Sequence, residues 1–399
     1  MAPQFSCAPD MQMHPMEYSP DAVTRVPRYI PIYPTTSPAP RLALKEVALG
    51  PLRDTLQRPL QDLRISITDQ CNFRCRYCMP KEHFGKNHVF LPQRALLDFD
   101  AIEALVQTAI GLGVRKVRLT GGEPLLRKDV ESLIARLANL RTLEDRPLEV
   151  AMTTNGSLLQ RKAASLKAAG LSRVTVSLDA LDDAVFQRMN DAEVPVATVL
   201  AGIDAALNAG FEHLKVNVVV RKGWNDDQIL PLARYFLGRP VVLRFIEFMD
   251  VGNRNAWSPS HVVSCADMVN TLQSAFDVTK LDATRRGETA QRWTYTGRDR
   301  HGRYVTGEFG VIGSVTAPFC GDCNRARVTA DGKLFTCLFA HEGADITPYL
   351  RTGAQHSLER LRSVLSQVWT DRSDRYSELR TGATRNVHAT KAEMNYLGG

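Results

Sequence analysis

From residue 64 onward, short β-branched runs alternate with stretches whose apolar residues recur at helical spacing. The runs read RISIT (64–68), KVRLTGG (116–122), EVAMTTNG (149–156), RVTVSLD (173–179), LKVNVVV (214–220) and VVLRFIEF (241–248). Between them, Leu133, Leu137 and Leu140, then Leu159, Ala163 and Leu166, fall three or four residues apart, on one face of a helix. Six strand–helix repeats predict parallel strands joined by right-handed crossovers. Nearly every run ends in a polar or glycine-rich group: Thr68-Asp69, Gly121-Gly122-Glu123-Pro124, Thr153-Thr154-Asn155-Gly156, Ser177-Leu178-Asp179 and Glu247. Convergent strand ends suit a barrel, where one face collects the chemistry, better than a doubly wound sheet, which concentrates it at one switch point. Only six repeats are visible, so the expected fold is α/β, an incomplete parallel (β/α)6 barrel over residues 62–251.

Beyond MDVGNRNAW (249–257) the pattern changes to a helix near 264–276, short strands around 292–296, 309–315, 325–329 and 333–337, then helices to the end. This predicts a smaller C-terminal α+β domain, residues 252–399. Residues 1–61 are rich in Pro, Met and Ser, include IPIYPTTSPAPR, and are expected to form a flexible leader. Asp10, Glu17 and Asp21, with no clean apolar core, make this leader a poor targeting signal, so the cytoplasm is the expected compartment. No apolar run reaches the roughly eighteen residues that a membrane helix needs, and no membrane span is expected.

Fifty Lys plus Arg against forty-three Asp plus Glu leave a charge of +7, which fits nucleic acid, a membrane surface, a small polyanionic substrate or merely a basic surface. Particular residues must choose among these. Six of the eight cysteines fall in two tight clusters, unlike a secreted disulfide framework, which favours metal or redox ligation. Cys7 and Cys265 have no partner motif.

The first cluster lies in TDQCNFRCRYCMP (68–80): Cys71, Cys75 and Cys78, with Tyr77 beside the last. Three thiolates from one short loop can wrap three corners of a cuboidal iron–sulfur cluster and leave one iron open as the working position. A structural zinc site wants four ligands, and His83, five residues past Cys78, would make it lopsided. The second cluster, FCGDCNRARVTADGKLFTC (319–337), holds Cys320, Cys323 and Cys337. Here spacing leaves the choice even, because CxxC with a distant cysteine and His341 also reads as a zinc ribbon.

The CxxxCxxC loop with Tyr77, followed by GGEP (121–124), resembles the radical S-adenosylmethionine (SAM) superfamily. The second trio inside CNRARVTADG, with RFIEFM (244–249) and the terminal Gly398-Gly399, is similar to the GTP 3′,8-cyclases, the molybdenum cofactor biosynthesis protein A family, from about residue 62 onward. The resemblance implies two 4Fe–4S clusters, one held by Cys71, Cys75 and Cys78 and one by Cys320, Cys323 and Cys337. It implies SAM on the first, with Tyr77, Gly122, Ser177 and Met249 around it, and GTP held by Arg64, Arg118, Thr153, Lys215, Arg325 and Arg327. Arginine suits polyphosphate because its planar fork pairs with two oxygens at once. Arg325 and Arg327, alternating on a strand, point to one side, and Arg64 and Arg118 sit inside strand patterns where an unpaired charge is expensive.

The implied activity is radical conversion of GTP to 3′,8-cyclo-7,8-dihydro-GTP. It brings an external one-electron donor and a downstream cyclic pyranopterin monophosphate synthase as partners, and leaves room for a homodimer. The glycine tail is implied to reach the active site. The charged segment WTDRSDRYSELRTGATRN (369–386) and the leader depart from the shared motifs. A peptide maturase of the same superfamily is disfavoured because such enzymes carry more C-terminal cysteines. A non-catalytic zinc protein on nucleic acid is disfavoured because no basic tract is interleaved with aromatics.

Overall fold

The computed structural model describes residues 49–212, 214–350, 355–380 and 391–398, all within one compact unit. Six parallel strands form where the runs predicted them: β1 Asp62–Ser66, β2 Lys116–Thr120, β3 Glu149–Thr154, β4 Arg173–Ser177, β5 Leu214–Val220 and β6 Val241–Glu247. The helices that accompany them are α1 Phe99–Ile110, α2 Val130–Ala138, α3 Leu159–Ala168, α4 Asp183–Asn190, α5 Val196–Asn208 and α6 Ile229–Phe236. Side chains define their starts: Asp98 accepts the Ala101 N–H at 2.7 Å to open α1, and Asp182 accepts that of Val185 at 2.9 Å to open α4.

β5 and β6 show where the core sits. Leu214, Val216, Val218 and Val220 are buried in the cluster that also holds the apolar stripe of α2, Val130, Leu133, Ile134 and Leu137. Lys215, Asn217 and Val219 point the other way and are only half-buried, lining the barrel interior. The main core therefore lies outside the barrel wall, between strands and helices. The interior is left to polar and charged residues, as a binding site requires.

The C-terminal region lends its strands to both edges of the same sheet. β7 Asp277–Leu281, β8 Gln291–Arg298 and β9 Tyr304–Ile312 extend the β6 side, with β9 parallel to β6. β10 Arg325–Val328 then pairs in parallel with β1 at the opposite edge, followed by antiparallel β11 Lys333–Phe335 and β12 Ala344–Asp345. The result is one twelve-stranded sheet in the order β12-β11-β10-β1-β2-β3-β4-β5-β6-β9-β8-β7. The remaining helices are α7 Cys265–Gln273, α8 Thr347–Leu350, α9 Gln355–Thr370, α10 Tyr376–Leu379 and α11 Met394–Leu397. Among the described residues no helix is long and apolar enough to cross a membrane.

One boundary needs correction. The end of the expected flexible leader is packed: Asp54 and Arg58 are 2% and 0% exposed and form an ion pair. Arg58 also donates to the carbonyls of Cys320 and Asp374, both at 2.9 Å, and Trp369 donates to the Arg58 carbonyl at 3.2 Å. Composition alone marked this stretch as loose. Its fixed conformation comes from long-range bonds to the second cysteine loop.

Candidate functional site

All six clustered cysteines line one cavity, with about 1670 Å³ of atom-free space including solvent at its mouth. Tyr77, Gly122, Ser177, Met249, Arg64, Arg118, Thr153, Arg325 and Arg327 line it too. Lys215 does not. It lies in an adjoining space toward the N-terminal ends of the strands, which shares Arg64, Arg118, Arg244 and Arg325 with the main cavity.

The first trio sits on the loop after β1, braced from several sides. The backbone N–H of Gly122 donates to the Thr68 carbonyl at 2.8 Å and that of Glu123 to the Gln70 carbonyl at 2.7 Å. Glu123 is wholly buried and accepts from Thr154 Oγ1 (2.7 Å), the Asn155 N–H (2.7 Å) and the Leu125 N–H (3.0 Å). Burial pushes its carboxyl up to about 7 against these three bonds. Asn155 in turn donates to Asn72 at 2.9 Å, joining the β3 end to the cysteine loop. Tyr77 Oη donates to Asp179 Oδ2 at 2.9 Å, and burial raises Asp179 to about 6. Cys75 donates to Asn190 Oδ1 at 3.2 Å.

The two trios differ electrically. Burial raises the thiols of Cys71, to about 11, of Cys75 and of Cys78, so ligation there must displace protons. Cys323 is different: burial would raise it, but Arg325 and Arg372 bring it down to about 6. Arg325 reaches the Cys323 sulfur at 3.6 Å, and Arg372 donates to its carbonyl at 2.7 Å. Burial, with Asp374 adding to it, holds Cys337 at about 12. Among the described residues no three His, Cys, Asp or Glu side chains converge on one metal-ion position.

Between the trios runs a row of arginines fixed by strand register. Arg327 of β10 lies opposite Arg64 of β1, which lies opposite Arg118 of β2. Like charges directly opposite on neighbouring strands are destabilising. Burial, and then Arg327, hold Arg64 well below the ordinary arginine range, and burial with Arg325 brings Arg327 to about 10. Arg118 finds two neutral partners, Thr153 and Thr175 Oγ1, both at 3.1 Å. The buried Nε atoms of Arg64, Arg118, Arg325 and Arg327 have no hydrogen-bond acceptor among the described residues. Four arginines lining one space form a site for an anion.

Comparison with known proteins fits this arrangement. Residues 65–236 match the Radical SAM superfamily model and residues 241–378 the Molybdenum Cofactor Synthesis C model. The GTP 3′,8-cyclase of Acidothermus cellulolyticus is 46% identical over 370 residues, covering 88% of this chain and 99% of that protein. That of Xanthomonas axonopodis pv. citri is 48% identical over 350 residues, with the same coverage of each chain. The chain belongs to the GTP 3′,8-cyclase family. Streptococcus suis SuiB, solved with S-adenosylmethionine, shares the fold at a TM-score of 0.53 and 15% identity, over 83% of this chain and 71% of that one.

Membership makes the chain a radical SAM enzyme of the GTP 3′,8-cyclase type, with a domain of molybdenum cofactor synthesis. The radical SAM family implies a 4Fe–4S cluster and SAM. Several side chains in the cyclase site were not singled out from sequence. Arg244 lines both spaces from β6, and Lys116 lines the lower one, paired with Glu149 at 3.1 Å. Arg244 was detectable by the reasoning that found Arg64, since both are charges inside apolar strand runs. Asp179, Glu123 and Arg372 act through contacts that only the fold creates.

The charged late segment also has a use. Arg372 pairs with Asp374 at 3.1 Å and with Asp54 at 3.5 Å, and Arg380, Tyr376 and Lys391 all converge on Asp250, one residue past Met249. Residues 381–390 and Gly399 lie outside the described residues. Gly398 is described, at φ +71°, where a Cβ would stand 2.1 Å from Thr120 Oγ1 and 3.3 Å from Ser66 Cβ. A glycine is needed for the tail to settle there, over the ends of β1 and β2.

Proposed function

We propose that Cys71, Cys75 and Cys78 hold the SAM-binding 4Fe–4S cluster, and that Cys320, Cys323 and Cys337 hold a second one. One observation favours a cluster over zinc in the second trio. His341, the fourth ligand of the zinc alternative, is not among the residues that line the cavity. A 4Fe–4S cluster held by Cys71, Cys75 and Cys78 would, with SAM bound, supply the radical chemistry that links C3′ of the ribose to C8 of the guanine.

The protein binds, orients and excludes water. In this reading Tyr77, Gly122, Ser177 and Met249 surround SAM, with Tyr77 fixed by Asp179. Arg64, Arg118, Arg325 and Arg327 take the nucleotide, with Thr153 beside Arg118 and Lys215 further along the phosphates. The register row of Arg327, Arg64 and Arg118 carries the proposal, because it places three cationic side chains side by side in the cavity that both cysteine loops line. An external one-electron donor is needed to start the reaction, and the product passes to a cyclic pyranopterin monophosphate synthase. The test is anaerobic reconstitution followed by incubation with SAM, dithionite and GTP. About eight irons per chain, with 5′-deoxyadenosine and cyclised nucleotide appearing together and only with GTP, is the expected result. SAM cleavage indifferent to GTP would overturn the assignment of the site.

Lys215 provides a second check. Burial, and then the neighbouring Arg244, hold its ammonium down to about 6, so near pH 7.5 it is mostly neutral in the free protein. A polyphosphate beside it favours the charged form, so GTP binding should take up close to one proton there. The uptake should fade below about pH 6, where Lys215 is already protonated. Calorimetric titrations in buffers of different ionisation enthalpy measure the uptake, and K215M should remove it.

A further inference from the structure

The barrel interior has a second mouth, at the N-terminal ends of the strands. It has about 1110 Å³ of atom-free space including solvent and is lined by Lys116, Lys215 and Arg244 from the barrel, and by the loop that joins β7 to β8. That loop comes from the C-terminal region and brings Arg285, Arg286 and Glu288 to the opening. Two features fix it. Arg286 pairs with Asp322 at 2.7 Å, and Gly287 packs so closely that a Cβ would stand 2.6 Å from Asn324 Nδ2. Thr284 donates to Glu288 through its N–H at 3.0 Å and its hydroxyl at 3.2 Å.

Arg285 is the exception within this ordered loop. Arg115 is paired with Glu144, Lys116 with Glu149 and Arg286 with Asp322, whereas the Arg285 side chain has no hydrogen bond or ion pair among the described residues. Its charge nevertheless acts inward, on Lys116, Arg118, Glu149 and Arg244. Asp62, Glu149 and Glu288 also line this mouth, so a polyanion that reaches it needs an offsetting cation on the outer side.

We infer that Arg285 is a specificity residue for the terminal phosphate, closing the lower mouth on GTP and distinguishing it from GDP. This rests on the reading of the channel as the nucleotide site. With the base and ribose between the cysteine loops, the phosphates run down the arginine row toward Lys215 and Arg244. The last of them reaches the loop. A diphosphate ends within the barrel, short of Arg285.

The test is equilibrium binding of GTP and of GDP to the full-length, anaerobically reconstituted enzyme, wild type against R285A. Binding of GTP should weaken about tenfold, the loss of one charge-assisted hydrogen bond. GDP binding should change by roughly twofold at most, as for an exposed charge with no direct contact. R285K, which keeps the charge without the fork, should fall between. Arg285 is exposed and unpartnered, so its replacement leaves the fold intact. Equal weakening of both nucleotides, or no weakening of GTP, would overturn the assignment while leaving the channel reading in place. A wild-type enzyme that binds neither nucleotide would overturn both.

Discussion

Gly122→Ala should abolish SAM cleavage, with a loss of more than about a hundredfold, although the substitution adds one methyl group. The reason is position. A Cβ at residue 122 would stand 2.2 Å from the Gln70 carbonyl oxygen, 2.5 Å from its carbon and 2.8 Å from the Asp69 oxygen. All three are backbone atoms, so no side-chain rotation relieves the clash. Relief must come from moving the loop segment that leads directly into Cys71. Overpacking of this kind costs about 1–3 kcal/mol, a modest share of the stability of a chain this size. The site suffers more than the fold, because ligands must be held within about half an ångström. The measurement is 5′-deoxyadenosine formation together with iron content and thermal midpoint. A variant that keeps its iron and the wild-type cleavage rate would show that the close packing of GGEP on the cysteine loop has no consequence for the cluster. The superfamily resemblance implies that Gly122 lies beside SAM. The structure adds a separate requirement, close packing on the loop that carries the ligands.

Cys323→Ala should separate the two halves of the chemistry. Iron per chain is expected to fall from about eight to about four, and cyclised product by more than about a hundredfold. The first cluster and some SAM cleavage should survive. Cys323 lies before β10, in the cavity that the first trio also lines, and its surroundings are Arg325 and Arg372 rather than Glu123, Asn155 or Asn190. Removing its thiolate leaves Arg325 and Arg372 facing one less negative partner, so nucleotide binding itself should be retained. Iron analysis, zinc analysis and product chromatography on one preparation decide it. A wild-type protein with about four irons and one zinc would overturn the second cluster.

How much of this was legible in the sequence depended on whether the signal was local. The six barrel strands were visible because a parallel strand with helices on one side carries β-branched residues in short runs. The lumen arginines were visible for the opposite reason, since Arg64 and Arg118 interrupt those runs. Arg244 in VVLRFIEF carries the same signal and was passed over. β7, DVTKL, was missed because it is an outer strand with three of its five residues exposed, so no apolar pattern marks it. The pairing of β10 with β1 had no local signal at all, and with it went the row of three arginines, which exists only through that register. The role of Asp54 and Arg58 was hidden in the same way, by bonds to residues near the other end of the chain.

The parallel pairing of β1 with β10 also sets an order in time. During synthesis β1, the first cysteine loop and the rest of the barrel leave the ribosome long before Arg325 does. Through that interval β1 has a bare edge, and the wall that will carry the second trio does not yet exist. Contacts this distant in sequence form late, since the chain must close a large loop before the pairing rewards it. The first cysteine loop is therefore made while still uncovered, whereas the second trio arrives together with the strand that closes the wall. A chain that stops short of Arg325 would keep an exposed parallel edge, the kind of surface that recruits other chains into aggregates.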